Sequence, residues 1–206
     1  AFGLQKRHDL ANADLARAIE IDPDNAEAYN FRAAIAISLG RYDQAMPDLN
    51  AALSRSPSYV LALVNRGFAL AKKGEHVRAG TDLEQAIALE PSNSQALAVR
   101  GHLMRMQGRL AEALADLDRA VSLSPRYVFA LMERAEAYIA RSNGERALAD
   151  LDRVLEVQPA NALANQRREA ALALKPPSPA PAVTPPPPGK IAQPRPRSEE
   201  HTSELQ

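Results

Sequence analysis

The sequence predicts an all-α fold, a solenoid of antiparallel helix pairs, and two observations carry that prediction. The segment DLARAIEIDPDN, which starts at Asp14, returns in variant form at Asp48, Asp82, Asp116 and Asp150, each copy 34 residues after the last. A fixed self-similarity of this period indicates repeats that bury their apolar faces against one another. The composition agrees, because Ala, Leu, Arg and Glu are abundant and favour helices, whereas aromatic residues make up 4% of the chain.

Each repeat unit contains two predicted helices and two stops, as residues 26–59 illustrate. The first half, AEAYNFRAAIAISLG, places small and apolar residues such as Ala33 on one helical face and ends at Gly40, a good helix terminator. The second half places Leu49 on an apolar face and ends before Pro57, because proline lacks an amide donor and restricts the residue before it. We therefore expect two antiparallel helices per unit.

Three interruptions depart from this regularity. Pro47 lies inside a predicted second helix, where it removes one backbone hydrogen bond, and Gly80 lowers the helix propensity of the next second helix. In the last unit the segment RSNGER moves the turn glycine by two residues, to Gly144. We expect that turn to differ from the others.

Small residues and prolines recur at fixed positions of the unit. The eighth position holds Ala33, Gly67, Gly101 and Ala135, the twentieth is always alanine, and the thirty-second is always proline. The twenty-seventh is alanine in every unit but the last, which has Val154. These positions resemble the pattern of the tetratricopeptide repeat (TPR) family, in which small residues let two helices approach closely. The resemblance implies a right-handed superhelix whose first helices line a concave face.

The domain organisation follows from the same pattern. In chain order we predict a truncated first repeat at 1–25, complete repeats at 26–59, 60–93, 94–127 and 128–161, a capping helix at 162–175 and a proline-rich disordered linker at 176–196. The last residues, 197–206, read RSEEHTSELQ and resemble a translated sequencing adapter, so we exclude them from functional interpretation. Because the chain begins at Ala1 without Met, we expect it to be a fragment.

An arginine column at the seventh position and an aspartate column at the twenty-third run through the units. They comprise Arg32, Arg66, Arg100, Arg134 and Arg168 with Asp14, Asp48, Asp82, Asp116 and Asp150. One interpretation is an anion-binding stripe. The other, which we favour, is a structural ladder of partly buried ion pairs, because arginine matched with aspartate neutralises itself. In an antiparallel hairpin Arg32 has two partners at its height, Asp48 in its own unit and Asp14 in the unit before. We expect pairing across units, since that register uses all ten charges.

The resemblance to the family also implies a ligand groove lined by first-helix residues. Carried over to this chain, the groove comprises Asn30, Leu61, Val64, Phe68, Ala98, His102, Arg105, Met106, Phe129, Met132 and Glu136. Its middle is apolar, which suits a helix or an extended segment of a partner protein. The alternative is that several of these side chains belong to the core, since a register error of one residue would place them there. The lysine, asparagine and arginine clamp with which some family members grip a carboxylate is missing, because its positions hold residues such as Asn30, Val64 and Phe68.

Composition and spacing speak against several other functions. The 25 basic and 25 acidic side chains leave no net field to attract nucleic acid. Without cysteine the chain has no disulfide and no thiolate nucleophile, and its four histidines form no cluster with metal-ligand spacing. No apolar run approaches the roughly 18 residues of a membrane span. We expect no catalysis, no metal, no cofactor, no nucleic-acid partner and no membrane span.

We interpret the chain as a non-catalytic scaffold that holds a peptide or helix of a partner protein in its concave groove. The alternative is an adaptor region of a larger enzyme or envelope protein, joined through the proline-rich linker. Self-association is a further option, because the truncated first repeat leaves apolar surface exposed. The compartment stays open, either cytoplasmic or, if a lost N-terminus carried a signal, periplasmic.

Overall fold

The computed structural model describes residues 2–174, with side chains from residue 7 onward. This part of the chain contains ten helices and no strand. They are α1 (Phe2–Ile21), α2 (Ala26–Ser38), α3 (Tyr42–Arg55), α4 (Val60–Lys72), α5 (His76–Leu89), α6 (Ser94–Met106), α7 (Leu110–Leu123), α8 (Val128–Ala140), α9 (Gly144–Val157) and α10 (Ala162–Ala173). The predicted linker at 176–196 and the adapter-like residues 197–206 lie outside the described residues.

The helices form hairpins that stack in chain order. Helix α2 packs on α3, α4 on α5, α6 on α7 and α8 on α9, and each second helix also contacts the first helix of the next unit. First helices touch one another between consecutive units, whereas among the described helices no second helix touches another. The prediction of an all-α solenoid of antiparallel helix pairs is therefore confirmed. Because the first helices approach one another and the second helices do not, the first helices lie on the concave side of the stack.

Side-chain caps and left-handed residues define where the first helices begin and end. Asn25, Asn93 and Asn161 each accept a hydrogen bond from the backbone amide three residues later, at 2.9 to 3.0 Å. Each cap satisfies one of the amides that a helix N-terminus leaves without a partner. At the other end the chain turns through Gly40, Gly74 and Gly108, whose φ angles are 71°, 80° and 75°, values that glycine adopts without steric cost.

The turn between α8 and α9 differs from the others in its residues, as predicted, because Asn143 caps α9 with its side chain whereas the residues before α3, α5 and α7 make no such bond, but its backbone follows the same path. Ser142 occupies the glycine position with a φ of 56°. The next amide, that of Asn143, donates to the carbonyl of Tyr138 at 2.9 Å, as the amide after Gly74 does in its own turn. Packing of the two helices fixes this turn, so serine is held in a region that L-residues disfavour.

The displaced glycine has a packing role instead. Gly144 is buried at the start of α9, where a Cβ atom would overlap the carbonyl oxygen of Ala171 in α10. Absence of a side chain at this position therefore allows the capping helix to pack closely.

The core between paired helices repeats with the units. Leu49, Leu83, Leu117 and Leu151 on the second helices are all fully buried. A Cβ atom on Gly67 would lie 2.8 Å from Cγ of Leu83, and one on Gly101 would lie 2.7 Å from Cγ of Leu117. Backbones in these two hairpins thus approach more closely than an alanine would comfortably allow.

One arginine–aspartate pair joins the two helices of each complete unit, at the same height in all four units. Each arginine donates two hydrogen bonds of 2.6 to 2.8 Å to one carboxylate. The pairs are Arg32–Asp48, Arg66–Asp82, Arg100–Asp116 and Arg134–Asp150. Hydrogen bonding to the carboxylate raises the pKa of the arginine in the first, third and fourth pairs. We refer to these four pairs as the ladder.

The predicted register of the ladder is wrong. Arg32 bonds Asp48 of its own unit and not Asp14 of the unit before. Contacts across units instead use the twenty-fifth position, where Asp118 accepts from Arg134 at 2.8 Å and Asp152 accepts from Arg168 at 2.7 Å. The reason is helical geometry, because two residues along a helix correspond to about 200° of rotation, which directs the twenty-fifth residue toward the next unit.

A further set of contacts between units was not evident from the sequence pattern. The carbonyl oxygen of the unit-ending proline accepts a hydrogen bond from a long side chain on the second helix of the next unit. These bonds join Gln85 to Pro57 at 3.1 Å, Arg119 to Pro91 at 3.1 Å and Arg153 to Pro125 at 2.5 Å. In the first complete unit the equivalent position is Ala51, and Arg55 reaches Pro23 from one turn further on, at 2.6 Å. Each of these four prolines therefore both stops a helix and joins two units.

Candidate functional site

The concave face is built from helical stripes, of which the stripe on α6 forms the floor. Gln95, Val99, His102 and Met106 are spaced by three or four residues, so they share one side of the helix. Gln95 and Met106 at the two ends are exposed, whereas Val99 and His102 between them are buried. Side chains from α4 and α8 therefore cover the middle of the floor.

Three rings from consecutive first helices meet over that middle. The centroids of Phe68 on α4, His102 on α6 and Phe129 on α8 are each 5.8 Å from the other two. Phe68 and Phe129 meet edge to face at 80°, and Tyr127 extends the cluster with a centroid 6.0 Å from Phe129. Such ring pairs stabilise by about 0.5–1.5 kcal/mol beyond simple burial. We call these four side chains the aromatic cluster.

A cavity of about 230 Å³ opens beside the aromatic cluster. Its lining is Val64, Asn65, Phe68, Gln95, Val99, Tyr127 and Phe129. The lining carries no charge, since its one titratable group is the phenol of Tyr127, whose pKa burial raises to about 12. A wider depression of about 910 Å³ lies between residues 90–95 and 124–127, and Gln95 and Tyr127 line both this depression and the cavity.

A charged group that is mostly buried, Glu133, lies next to the His102 ring of the cluster. Nδ1 of His102 is 2.9 Å from Oε2 of Glu133, although the contact lacks hydrogen-bond geometry, and Nε of Arg105 donates to the same oxygen at 2.8 Å. Burial alone would raise the pKa of Glu133, but the contacts with His102 and Arg105 outweigh it and hold that pKa below its ordinary value. Glu133 is therefore ionised at neutral pH and neutralised by α6.

One cation beside the cavity is not neutralised in this way. The ammonium of Lys72, one turn after Phe68, lies 5.2 Å from the centroid of the Phe68 ring. Within the described residues Lys72 makes no ion pair, whereas the neighbouring Lys73 contacts Asp43 at 2.8 Å and Glu75 at 3.2 Å. The α4 side of the cavity therefore carries an available positive charge.

Toward α2 the concave face becomes polar. Asn65 donates to Asn30 at 2.8 Å, and Asn30 donates to the hydroxyl of Tyr59 at 3.3 Å. Burial raises the pKa of Tyr59, with a smaller contribution from Glu27. The face thus changes from hydrogen-bonded amides to aromatic rings to charged groups along the stack.

The structure divides the predicted groove residues into three groups. Leu61 and Met106 are exposed, with 40% and 43% of their surface accessible, while Phe68, Arg105, Phe129 and Glu136 are half-buried. The buried ones are Asn30, Val64, Ala98, His102 and Met132. The alternative that several groove residues belong to the core therefore holds for these five, because the fifth position of a first helix faces the neighbouring first helix, and His102 at the ninth position is covered by Phe68 and Phe129.

Of the remaining side chains that line the cavity, Gln95 occupies the second position of its unit, which the family resemblance also assigns to the groove, whereas Asn65, Val99 and Tyr127 were missed. Asn65 and Val99 occupy the sixth position of their units, and Tyr127 is the last residue before a first helix. Helical spacing contained a signal for Asn65, which lies three residues before Phe68 and seven before Lys72 on one stripe.

The first end of the stack exposes large apolar side chains. Leu10 and Ile21 on α1 and Phe31 on α2 are 59%, 77% and 52% exposed. Self-association through this end stays a prediction. Among residues 2–174, no helix is both long and apolar enough to cross a membrane, and no three His, Asp or Glu side chains are grouped as a metal would require.

Family models identify the repeats independently. Two models, both described as tetratricopeptide repeat, match residues 4–67 and 65–128, which together exceed half of the 206 residues. The chain belongs to the tetratricopeptide repeat family. Repeats of this family indicate a protein–protein interaction scaffold, in line with the extended concave surfaces that solenoids present. No curated protein matches the sequence.

Solved TPR structures share this fold. TTC0263, a thermophilic TPR protein of Thermus thermophilus, superposes with a TM-score of 0.71 at 23% identity, over 84% of this chain and 94% of that one. YrrB, described as a TPR protein with an unusual peptide-binding site, gives 0.55 at 23% identity, over 81% and 86%. PilW, described as a widely conserved type IV pilus biogenesis factor, gives 0.67 at 21% identity, over 84% and 85%. At these identities the likeness concerns the fold alone.

Proposed function

We propose that the concave face between α4, α6 and α8 binds a peptide segment of a partner protein. The observation that carries the proposal is the uncharged cavity of about 230 Å³ beside half-buried aromatic rings. Apolar concavities with a few polar groups at the rim are where proteins commonly bind ligands. Aromatic side chains that remain partly exposed also provide large contact area at low entropic cost.

Two further features support this location. The face is bordered by exposed Leu61 on α4 and exposed Met106 on α6, so apolar surface extends beyond the cavity itself. A similarly folded protein, YrrB, is described as having a peptide-binding site. In contrast, the arginines of the ladder are bound to carboxylates of this chain, which leaves them poorly suited to hold an anionic ligand.

The proposal is tested by selecting peptides from a random display library against the folded protein and measuring Kd by calorimetry. The groove variant combines Leu61→Ala, Gln95→Ala and Met106→Ala. The matched control combines Val77→Ala, Leu89→Ala and Leu123→Ala, exposed apolar residues of the second helices α5 and α7. We expect the groove variant to weaken binding about tenfold or more and the control to leave Kd within about twofold. An unchanged Kd in the groove variant, or a loss of binding in the control alone, would refute the proposal.

A further inference from the structure

The lining of the cavity restricts the chemistry of its ligand. Phe68, Tyr127 and Phe129 surround the space with ring faces and edges, and no ionised side chain takes part. Burying a charged ligand group there without a partner would be costly. The group that enters the cavity is therefore apolar and uncharged.

The backbone of the ligand meets a second restriction. Every wall of the cavity is a helix or a helix-flanking residue, so no strand edge offers a row of amides and carbonyls. The polar side chains of the rim are Asn65 and Gln95, and Gln95 makes no hydrogen bond to any described residue, which leaves its amide free to donate to a peptide carbonyl. With two side-chain amides and no strand edge, the rim offers few acceptors to the N–H groups of a peptide, and proline has no N–H group that would be left without a partner.

The size of the site favours an extended ligand over a helix. A cavity of about 230 Å³ accommodates one or two side chains, whereas a helix with its side chains is about 10–12 Å across. Gln95 occupies the second position of its first helix, and Lys72 occupies the thirteenth position of the neighbouring one. These two positions are about 16 Å apart along a helix axis. A polyproline II segment covers that distance with about five residues. Aromatic-lined grooves are a recognised binding site for this preformed conformation.

Charge complementarity fixes one end of the ligand. Lys72 has no carboxylate partner among the described residues, whereas Glu133 is held by Arg105 and His102. Glu136 is likewise in contact with Arg167 on α10. The nearest available charge at the α4 side of the cavity is thus positive, and an acidic residue of the ligand would neutralise it.

We propose that the partner segment is an extended, proline-rich peptide whose prolines pack on Phe68, Tyr127 and Phe129 and whose acidic residue pairs with Lys72. This inference rests on the proposed function, of which it specifies the partner. It assigns separate roles to the uncharged cavity and to the adjacent lysine. The aromatic cluster selects for proline, and Lys72 selects for the sign of the flanking charge.

Three labelled synthetic peptides test it by fluorescence anisotropy. The first has about six residues, mostly proline, between two glutamates, the second replaces the prolines by alanine, and the third replaces the glutamates by lysine. We expect the first to bind about tenfold more tightly than the alanine peptide and about fivefold more tightly than the lysine peptide. Equal affinity of the proline and alanine peptides overturns the inference.

Variants then separate the two contacts. Lys72→Glu should reverse the preference between the glutamate and lysine peptides, and Lys73→Glu, which changes the adjacent lysine, should leave that preference in place. Gln95→Ala should weaken both proline peptides by about fivefold without altering their order. An unchanged preference in Lys72→Glu overturns the role of this lysine.

Failure of the inference is distinguishable from failure of the proposed function. If display selects groove-dependent peptides without proline and the proline peptides do not bind, the proposed function holds and the proline inference is wrong. If neither selected nor proline-rich peptides bind in a groove-dependent way, both are wrong.

Discussion

The ladder and the concave face both use the first helices, but their residues follow opposite rules. At the seventh and twenty-third positions the residue type does not change from unit to unit, and the four bidentate pairs have nearly the same lengths, 2.6 to 2.8 Å. At the ninth position, which points to the concave side, the successive residues are Ala34, Phe68, His102 and Glu136. No two of these share their chemistry.

The difference separates what a stack of units requires from what a ligand requires. A contact that fixes the relation of two helices is needed once per unit, so its residues repeat with the unit. A binding surface needs a particular group at one place along the stack, so its residues do not repeat. In this chain repetition therefore marks stability and its absence marks the candidate site.

Removing a carboxylate from the ladder should give the largest effect. Asp116→Asn leaves the half-buried guanidinium of Arg100 without its anion, and we expect a loss of about 3 kcal/mol in the free energy of unfolding. Asp118→Asn is the matched control on the same helix, because Asp118 is 53% exposed at its side chain and its pair with Arg134 should be worth about 0.5 kcal/mol. Urea unfolding of both variants measures the difference, and similar losses would contradict a structural ladder.

Replacing a helical glycine by alanine should lower stability at a position that repeats as a small residue and raise it at a position that does not repeat. Gly101→Ala places Cβ 2.7 Å from Cγ of Leu117, so we expect a net loss of about 1–2 kcal/mol despite the better helix propensity. Gly80→Ala meets nothing closer than a methyl of Leu103 at 4.0 Å, and we expect a gain of about 0.5–1 kcal/mol. Thermal and urea unfolding report both values. A stabilised Gly101→Ala would show that the eighth position is not confined.

Glu133, which contacts His102 of the aromatic cluster, should contribute less to stability than the ladder does, and in a pH-dependent way. The pKa of Glu133 in the folded chain lies below the ordinary 4.5. Its contribution to stability is therefore present above that value and is lost as the pH falls through the folded pKa. We expect Glu133→Gln to lose about 1 kcal/mol at pH 7, with the difference from the parent closing under acid conditions.

Unfolding curves from pH 7 down to acid pH check this, with Glu156→Gln on an exposed position of α9 as the control. A gap between parent and Glu133→Gln that widens on acidification would contradict the assigned direction of the shift.

The smallest expected change in stability concerns the turn position that holds glycine in three units and serine in the fourth. Ser142 takes a left-handed φ of 56° where three other units have glycine. Relief of that strain exceeds the extra flexibility of the unfolded glycine chain, so we expect Ser142→Gly to stabilise by about 0.5 kcal/mol. Ser142→Ala, which keeps the strain, is the control and should not stabilise the fold. Differential scanning calorimetry resolves the sign.

The sequence was informative about which residues repeat, but less informative about the direction in which each side chain points. The fixed period and the small residues were sufficient to predict paired helices, because each unit must bury the same face. The partner of each arginine was not predictable from equal height alone, since the rotation between Asp116 and Asp118 decides which of them faces the next unit.

The sequence placed the candidate site on the first helices, but it did not predict which of its side chains are exposed. The resemblance to the family assigned Val64 and Met132 to the concave groove, but it does not tell how tightly adjacent first helices close over a side chain. Tyr127 was missed for a related reason, because it precedes α8 and contributes to the cavity only through the packing of its ring against Phe129.

The division between repeating and non-repeating positions is tested most directly by measuring unfolding free energy and peptide Kd on the same set of variants. One group replaces the ladder carboxylates Asp48, Asp82, Asp116 and Asp150 by Asn, one at a time, and the other replaces Leu61, Gln95 and Met106 by Ala. We predict that every ladder variant loses stability while its folded fraction keeps the parent Kd, and that the groove variants lose affinity with stability changed by no more than about 1 kcal/mol. If the ladder variants and the groove variants show the same changes in unfolding free energy and in Kd, repeating positions are not reserved for stability in this protein.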